Sequence, residues 1–280
     1  MNLTPARTTR RLGVVALAGA SVVALASVAP PAAAESTGGQ DDLAKQLSNP
    51  IANLISLPLK LDWDTGIGAA NADRASFTVQ PVIPISINPD WNVIVRTIVP
   101  FVDAQSPAQG VSSASGLADT TQSFFFSPTR PTAGGWVWGA GPVFLYPTAT
   151  ERALGGGKWG AGPTFVVLRQ SQGWTYGLLA NHIWSFAGRR DRDEVSETFL
   201  QPFVSYTAKG ATTYGVNTES VYDWPSRQWT VPINVTVAQL VRLGKQPVSF
   251  TFGARWYAES PFGAPDWGLR FMTTLLFPRR

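Results

Sequence analysis

The sequence contains one histidine, His182, and no cysteine. Nucleophilic chemistry at an imidazole needs a hydroxyl or thiol within hydrogen-bond reach and a third polar group to orient the ring. Asn181 and Ser185 are near His182 in the chain. On an extended segment both project to the opposite face, because side chains alternate. His182 instead shares its face with Tyr176, Leu178 and Trp184. One histidine among scattered acids offers no convergent metal ligand set. Gly-x-Gly-Pro occurs twice, at Gly139-Ala140-Gly141-Pro142 and Gly160-Ala161-Gly162-Pro163. A phosphate-binding loop would need a helix and a lysine after it, so these read as bulges or bends in strands. The sequence therefore predicts no catalytic residue, metal or cofactor.

The remaining polar chemistry recurs at every second position. In 227–241, Trp229, Val231, Ile233, Val235 and Val237 alternate with Gln228, Thr230, Pro232, Asn234 and Thr236. In 245–259, Val248, Phe250, Phe252, Ala254 and Trp256 oppose Ser249, Thr251, Gly253, Arg255, Tyr257 and Glu259. In 265–278, Trp267, Leu269, Phe271, Leu275 and Phe277 oppose Gly268, Arg270 and Thr274. A period of two is the signature of a strand with one apolar and one polar face. Twelve such segments are predicted: 57–68, 74–86, 90–103, 116–127, 134–147, 158–170, 172–186, 196–207, 211–223, 227–241, 245–259 and 265–278.

A soluble sandwich alternates in the same way. Two features favour a transmembrane barrel. Aromatic residues sit at strand ends, as with Trp91 and Phe101, Trp136 and Tyr146, Trp174 and Trp184, and Tyr214 and Tyr222, matching the two aromatic girdles of a membrane barrel. Connections also alternate in length: 69–73, 104–115, 148–157, 187–195, 224–226 and 260–264 on one side, and 87–89, 128–133, 171, 208–210 and 242–244 on the other. The longer set holds the charged run 188–194. Long outer loops and short periplasmic turns are expected of these barrels.

Residues 1–34 read as a cleaved export signal: Arg7, Arg10 and Arg11, an apolar stretch from Leu12 to Val28, then Ala32-Ala33-Ala34 before Glu35. An N-terminal anchor is the alternative, opposed by the Pro30-Pro31 break. Of the 22 Lys and Arg, those three arginines belong to the signal; the other 19 face 18 Asp and Glu. That balance excludes a nucleic-acid partner. Residues 35–56 form a leader, in which 41–56 is predicted as a short amphipathic helix. Leu43, Leu47, Ile51, Leu54 and Ile55 have helical spacing, with Pro50 interrupting them. This segment either plugs the barrel or packs at its mouth. Residues 57–280 make an all-β, antiparallel, up-and-down transmembrane barrel of about twelve strands.

Several segments carry a family resemblance. They are Asn49-Pro50-Ile51-Ala52-Asn53-Leu54-Ile55-Ser56-Leu57-Pro58, Gln80-Pro81-Val82-Ile83-Pro84, Gly116-Leu117-Ala118-Asp119-Thr120-Thr121-Gln122-Ser123-Phe124-Phe125-Phe126, Gly157-Lys158-Trp159-Gly160-Ala161-Gly162-Pro163, Ala180-Asn181-His182-Ile183-Trp184-Ser185, Asn217-Thr218-Glu219-Ser220, Leu243-Gly244-Lys245-Gln246-Pro247-Val248-Ser249 and Pro265-Asp266-Trp267-Gly268-Leu269-Arg270-Phe271. Over about residues 43–278 the chain resembles the family named for the meta-pathway of phenol degradation, whose members are labelled outer-membrane transporters. The resemblance implies a barrel in a Gram-negative outer membrane and uptake of aromatic or other hydrophobic small molecules. It supplies no functional residues.

With apolar faces toward lipid, the opposite faces line the lumen. Predicted lining residues are Gln80, Arg96, Gln122, Asn181, Glu197, Phe199, Gln201, Phe203, Asn217, Glu219, Arg255, Tyr257, Glu259 and Arg270. Charges of both signs on one inner wall either pair and fill space or form a selective constriction. The function predicted is a channel or transporter for small, aromatic or hydrophobic molecules. Its partners are outer-membrane lipid, the solute and, during biogenesis, the barrel-assembly machinery. The alternatives are an outer-membrane lipid hydrolase using His182 and a structural barrel whose outer loops bind a partner.

Overall fold

The computed structural model describes residues 37–278. The export signal predicted over 1–34, the first residues of the 35–56 leader, and Arg279 and Arg280 lie outside the described residues. Helix α1 spans Thr37–Leu47. Twelve strands follow: β1 Ile55–Ile67, β2 Ala72–Val79 with Val82–Ser86, β3 Trp91–Ala104, β4 Ala114–Leu117 with Thr120–Pro128, β5 Trp136–Tyr146, β6 Lys158–Ser171, β7 Trp174–Gly188, β8 Ser196–Thr207, β9 Thr212–Thr218 with Ser220–Asp223, β10 Gln228–Leu243, β11 Gln246–Glu259 and β12 Trp267–Phe277. Each strand pairs antiparallel with the next, and β12 returns to β1 from Ile55↔Phe277 to Thr65↔Trp267. The sheet is a closed barrel without a free edge.

Proline interrupts the ladder where it cannot donate. Strand β9 breaks at Glu219, where the flanking registers set Pro202 of β8 opposite Thr218 and Pro232 of β10 opposite Glu219. The first glycine-rich segment is no bulge, because β5 and β6 keep a constant register through Gly139–Pro142. The second lies beside a true irregularity between Trp159 and Gly160 on the β6–β7 pair.

The leader differs from its prediction. The helix ends at Leu47 rather than reaching 56. Pro50 lacks an N–H and disfavours a helical residue before it. The chain turns there instead, with the Asn49 side-chain oxygen accepting from Ile51 N–H at 3.0 Å.

Outward side chains form a band that nothing among the described residues covers. Phe165, Val235, Phe252 and Phe271 lie mid-strand and are all more than 40% exposed. Rings gather at both rims. Trp91 meets Trp138, Trp136 meets Tyr176 and Trp174 meets Tyr206 at the short-turn end. Tyr146 meets Trp159, and Tyr222 meets both Trp224 and Trp229, at the long-loop end. An apolar belt this continuous is unfavourable in water and stable in hydrocarbon between two headgroup layers. Among the described residues no helix is long and apolar enough to cross a membrane.

At the long-loop end the charged run pairs locally. Arg152 bonds Asp191 at 2.6 Å, Lys158 bonds Glu194 at 2.7 Å, and Arg192 donates to the carbonyls of Gly155 and Gly156. Hydrogen bonds from Arg189 and Arg152 hold the Asp191 carboxyl below the usual carboxylate range. These pairs join loop 147–157 to loop 189–195.

The hydrocarbon-facing assignment makes a direct prediction. Val235→Arg, at the middle of β10, should cost about 2–4 kcal/mol in the folding equilibrium measured by denaturant titration in lipid vesicles. A cost below about 0.5 kcal/mol would place that face in water.

Candidate functional site: a lumen divided by a buried charge cluster

One wall of the lumen, from β9 round to β2, carries a network of seven ionic side chains. Asp62 of β1 is its centre. Arg270 of β12 approaches it with two parallel hydrogen bonds, Nε to Oδ1 at 2.7 Å and Nη2 to Oδ2 at 3.0 Å. Arg255 of β11 reaches the same carboxylate at 2.9 Å and Asp64 at 3.6 Å. Arg270 also holds Glu219 of β9 with two hydrogen bonds of 3.1 and 2.8 Å, passing over β10 and β11. Lys60 stands 3.4 Å from Asp62 and 3.8 Å from Glu219. Arg74 of β2 bonds Asp64 at 2.9 Å, and the Tyr257 hydroxyl donates to Asp64 at 3.0 Å. Asp62, Asp64 and Arg270 are each under 5% exposed. Charges so far from water persist only when mutually paired.

Registry explains how these groups meet. Asp62 lies directly opposite Arg270 on β12. Asp64 and Arg255 both lie opposite Gly268, one from each side. A Cβ at Gly268 would approach the Asp64 carboxylate to 2.6 Å, so glycine there opens the gap that these side chains bridge.

The cluster separates two spaces. The inner chamber, of about 290 Å³, lies toward the short-turn end and is lined by the N-terminal segment together with Gln80, Arg96, Gln201, Phe203, Asn217 and Arg270. The outer space, of about 510 Å³, lies toward the long loops and is lined by Phe199, Arg255, Tyr257 and residues of loop 260–266. Glu219 faces both. The opposite half of the lumen is apolar and filled. Ile51 packs with Val82, Ile94, Phe125, Val166, Leu168 and Leu179, and Phe199 and Phe203 lie against them. Gly139 leaves room for this contact, since a Cβ there would come within 3.3 Å of both Phe125 and Ile51. Leu54 and Ala44 pack with Ala211, Leu240 and Leu276. The helix is tied by Asp41 accepting from Ala211 N–H at 2.7 Å and by Gln170 donating to the Lys45 carbonyl at 2.7 Å.

Most predicted lining residues reach the lumen, and two do not. Gln80, Arg96, Phe199, Gln201, Phe203, Asn217, Glu219, Arg255, Tyr257 and Arg270 line one space or the other. Asn181 and Glu197 are on inward positions of β7 and β8, level with Phe199 and Ile183 respectively. Gln122 faces outward. It shares parity with the exposed Phe126, and it bonds Thr97 at 2.9 Å and the Tyr146 hydroxyl at 3.1 Å on the outer wall. Glu259 is displaced by a bulge: it pairs with outward Val231, whereas Tyr257 pairs with inward Pro232. Lys60, Asp62, Asp64 and Arg74 belong to the cluster without having been predicted. Their signal is the alternation of Lys60, Asp62 and Asp64 with Leu59, Leu61 and Trp63.

His182 is on the outer wall, as its parity predicts. The structure brings it partners from β8 rather than from its own strand. Nδ1 is 2.7 Å from Thr198 Oγ1, which also accepts from Trp224 Nε1–H at 2.9 Å, and Nε2 is 3.5 Å from Ser196 Oγ. The ring lies 4.0 Å from that of Trp184. Among the described residues no cluster of metal-ligating side chains is present.

No family model matches the chain, and no curated protein matches it in sequence. Solved structures do match in fold. An outer-membrane channel from Pseudomonas putida F1 is 14% identical with a TM-score of 0.63, covering 80% of this chain and 96% of its own. Outer membrane phospholipase A from Escherichia coli is 10% identical with a TM-score of 0.47, covering 79% and 92%. The likeness to the Pseudomonas channel shows that this chain has the fold of an outer-membrane β-barrel.

The cluster has a measurable signature. Asp62→Asn leaves Arg255 with only its 3.6 Å contact to Asp64 and Arg270 with only Glu219, and should lower unfolding stability by about 3–5 kcal/mol. A loss under about 1 kcal/mol in vesicle-based denaturation would mean that the cluster is solvated and exchangeable.

Proposed function

We propose that this chain is an outer-membrane channel for small apolar molecules, obstructed at rest by its N-terminal segment. The observation that carries this reading is the divided lumen: a chamber with apolar and polar lining, bounded by residues 44–54 below and by ion pairs above. A barrel that only anchored outer loops would need neither a chamber nor a segment folded against its inner wall. The resemblance to the phenol meta-pathway family and the fold shared with a channel point the same way. A hydrophilic pore would need a continuous wet path, and the packing of Ile51 against Phe125 and Leu168 opposes one. The solute then meets Leu47, Leu54, Val82, Phe203, Leu240 and Met272 beside a few polar groups, a lining that favours amphipathic molecules over salts and sugars.

A mature chain lacking residues 37–54, and the milder Ile51→Asp, test the reading in planar bilayers and by liposome swelling. The intact protein is expected to pass few ions, and both variants to conduct more, with their barrels verified by heat-modifiable gel mobility. If neither intact nor altered protein gave conductance or flux of any solute, the channel reading would fail.

The contact of His182 with Ser196 and Thr198 favours one second reading, a hydrolase acting on membrane lipid. Thr198 can fix the imidazole tautomer and leave Nε2 facing a hydroxyl. The 3.5 Å gap is long for an activated nucleophile, and the stacking on Trp184 fits a residue of the aromatic rim. Phospholipid hydrolysis is accordingly expected to be at background for both the wild type and His182→Ala. Turnover by the wild type that His182→Ala abolishes would reverse this ranking.

A further inference from the structure

The inner chamber is asymmetric in charge as well as in polarity. Its apolar lining includes Leu47, Leu54, Val82, Phe203, Leu240 and Met272. Three cations face it, Lys60, Arg96 and Arg270, against one carboxylate, Glu219. Glu219 is engaged by both terminal nitrogens of Arg270. Lys60 is shared between Glu219 and Asp62. Arg96 of β3 differs from the other two. Its Nε and Nη2 donate to the Gln80 side-chain oxygen at 3.0 and 3.2 Å, with the amide turned to suit both groups. Among the described residues no carboxylate lies within ion-pair distance of it. A neutral amide orients the guanidinium without compensating its charge. Glu219 acts on it only from beyond ion-pair distance and is itself held by Arg270. A guanidinium without a contacting counter-ion at a cavity is unfavourable, and a carboxylate is the group that its planar fork fits best.

We propose that the chamber binds an apolar molecule ending in a single carboxylate, the head on Arg96 and the tail along the apolar wall. This deepens the channel reading and rests on it only for the chamber's role in transport. A neutral hydroxyl head would gain one ordinary hydrogen bond there, and an ammonium head would be repelled by Arg96 and by the excess of cations over the single carboxylate facing the chamber. The occupant is thereby distinguished from hydrocarbons and from cationic lipids of the same length.

The test compares octanoate, octan-1-ol and octylamine by calorimetric titration at about pH 8, where acid and amine are both charged. The mature protein is held in a detergent-free amphipathic polymer, and its folding is checked by heat-modifiable mobility. Octanoate should bind about tenfold more tightly than the alcohol, with the amine weakest. Arg96→Gln should erase the preference for the acid, lowering octanoate to about the affinity of octanol. Arg96→Lys should restore most of it. Equal affinity for acid and alcohol, a preference that survives Arg96→Gln, or binding of none of the three overturns the proposal. Absence of binding with solute flux intact leaves the channel reading standing, whereas acid preference without flux in any form removes the channel reading alone.

Discussion

The interaction on which the lumen depends is the pairing of Arg270 with Asp62 on one side and Glu219 on the other. It joins β12 both to its neighbour β1 and to β9, three strands away. The ladder between β1 and β12 closes the barrel, and the same pair of strands supplies the centre of the cluster. The contacts that close the barrel and those that centre the cluster thus share the same two strands. Removing any one partner strands the others in a region with little water, so the group is constrained together rather than pair by pair. Gly268 completes the constraint by vacating the position through which Asp64 and Arg255 approach each other.

From that constraint the rest of the interior divides. The wall from β9 to β2 is spent on ion pairs, so the opposite wall must fill its half of the lumen with apolar side chains. The barrel does not supply enough of them. Ile51 of the N-terminal segment finishes the packing there, while Leu54 packs below the cluster against Ala211, Leu240 and Leu276, each of the two about 4% exposed. That is why a segment with Pro50 at its middle is held in irregular form: its value lies in where two side chains are placed, not in regular hydrogen bonding.

Much of this was legible in the sequence, and the parts that were not have identifiable causes. Twelve strands follow from the period of two and from aromatic strand ends, and their bounds agree with the observed ones to within a few residues. The lumen positions of Glu219, Arg255 and Arg270 follow from the same parity. Gln122 does not, because Phe124, Phe125 and Phe126 are apolar on both faces and leave the parity of β4 undetermined. Glu259 is lost to a bulge that shifts register by one residue beyond Tyr257. Convergence is the least readable feature. Asp62 and Arg270 are 208 residues apart, and alternation along a strand carries no information about which strand closes on which. The β8 partners of His182 were hidden for the same reason, since Ser196 and Thr198 meet it only across a ladder.

The two obstructions in the lumen differ in what it costs to move them. The N-terminal segment is held by two buried apolar anchors, Ile51 and Leu54, worth about 1.5–3 kcal/mol each, and by a few hydrogen bonds such as those from Ala211 and Gln170. A solute entering the chamber replaces apolar contact with apolar contact, so most of that cost is returned. The ion cluster offers no such exchange. Separating Arg270 from either carboxylate exposes charge to an apolar cavity, and a neutral solute cannot compensate it. On the channel reading proposed above, the N-terminal segment would therefore be the part that yields and the cluster the part that stays. A molecule passing through such a barrel would be sorted twice, once by its apolar surface against Ile51 and Leu54 and once by its charge against a wall in which cations outnumber carboxylates.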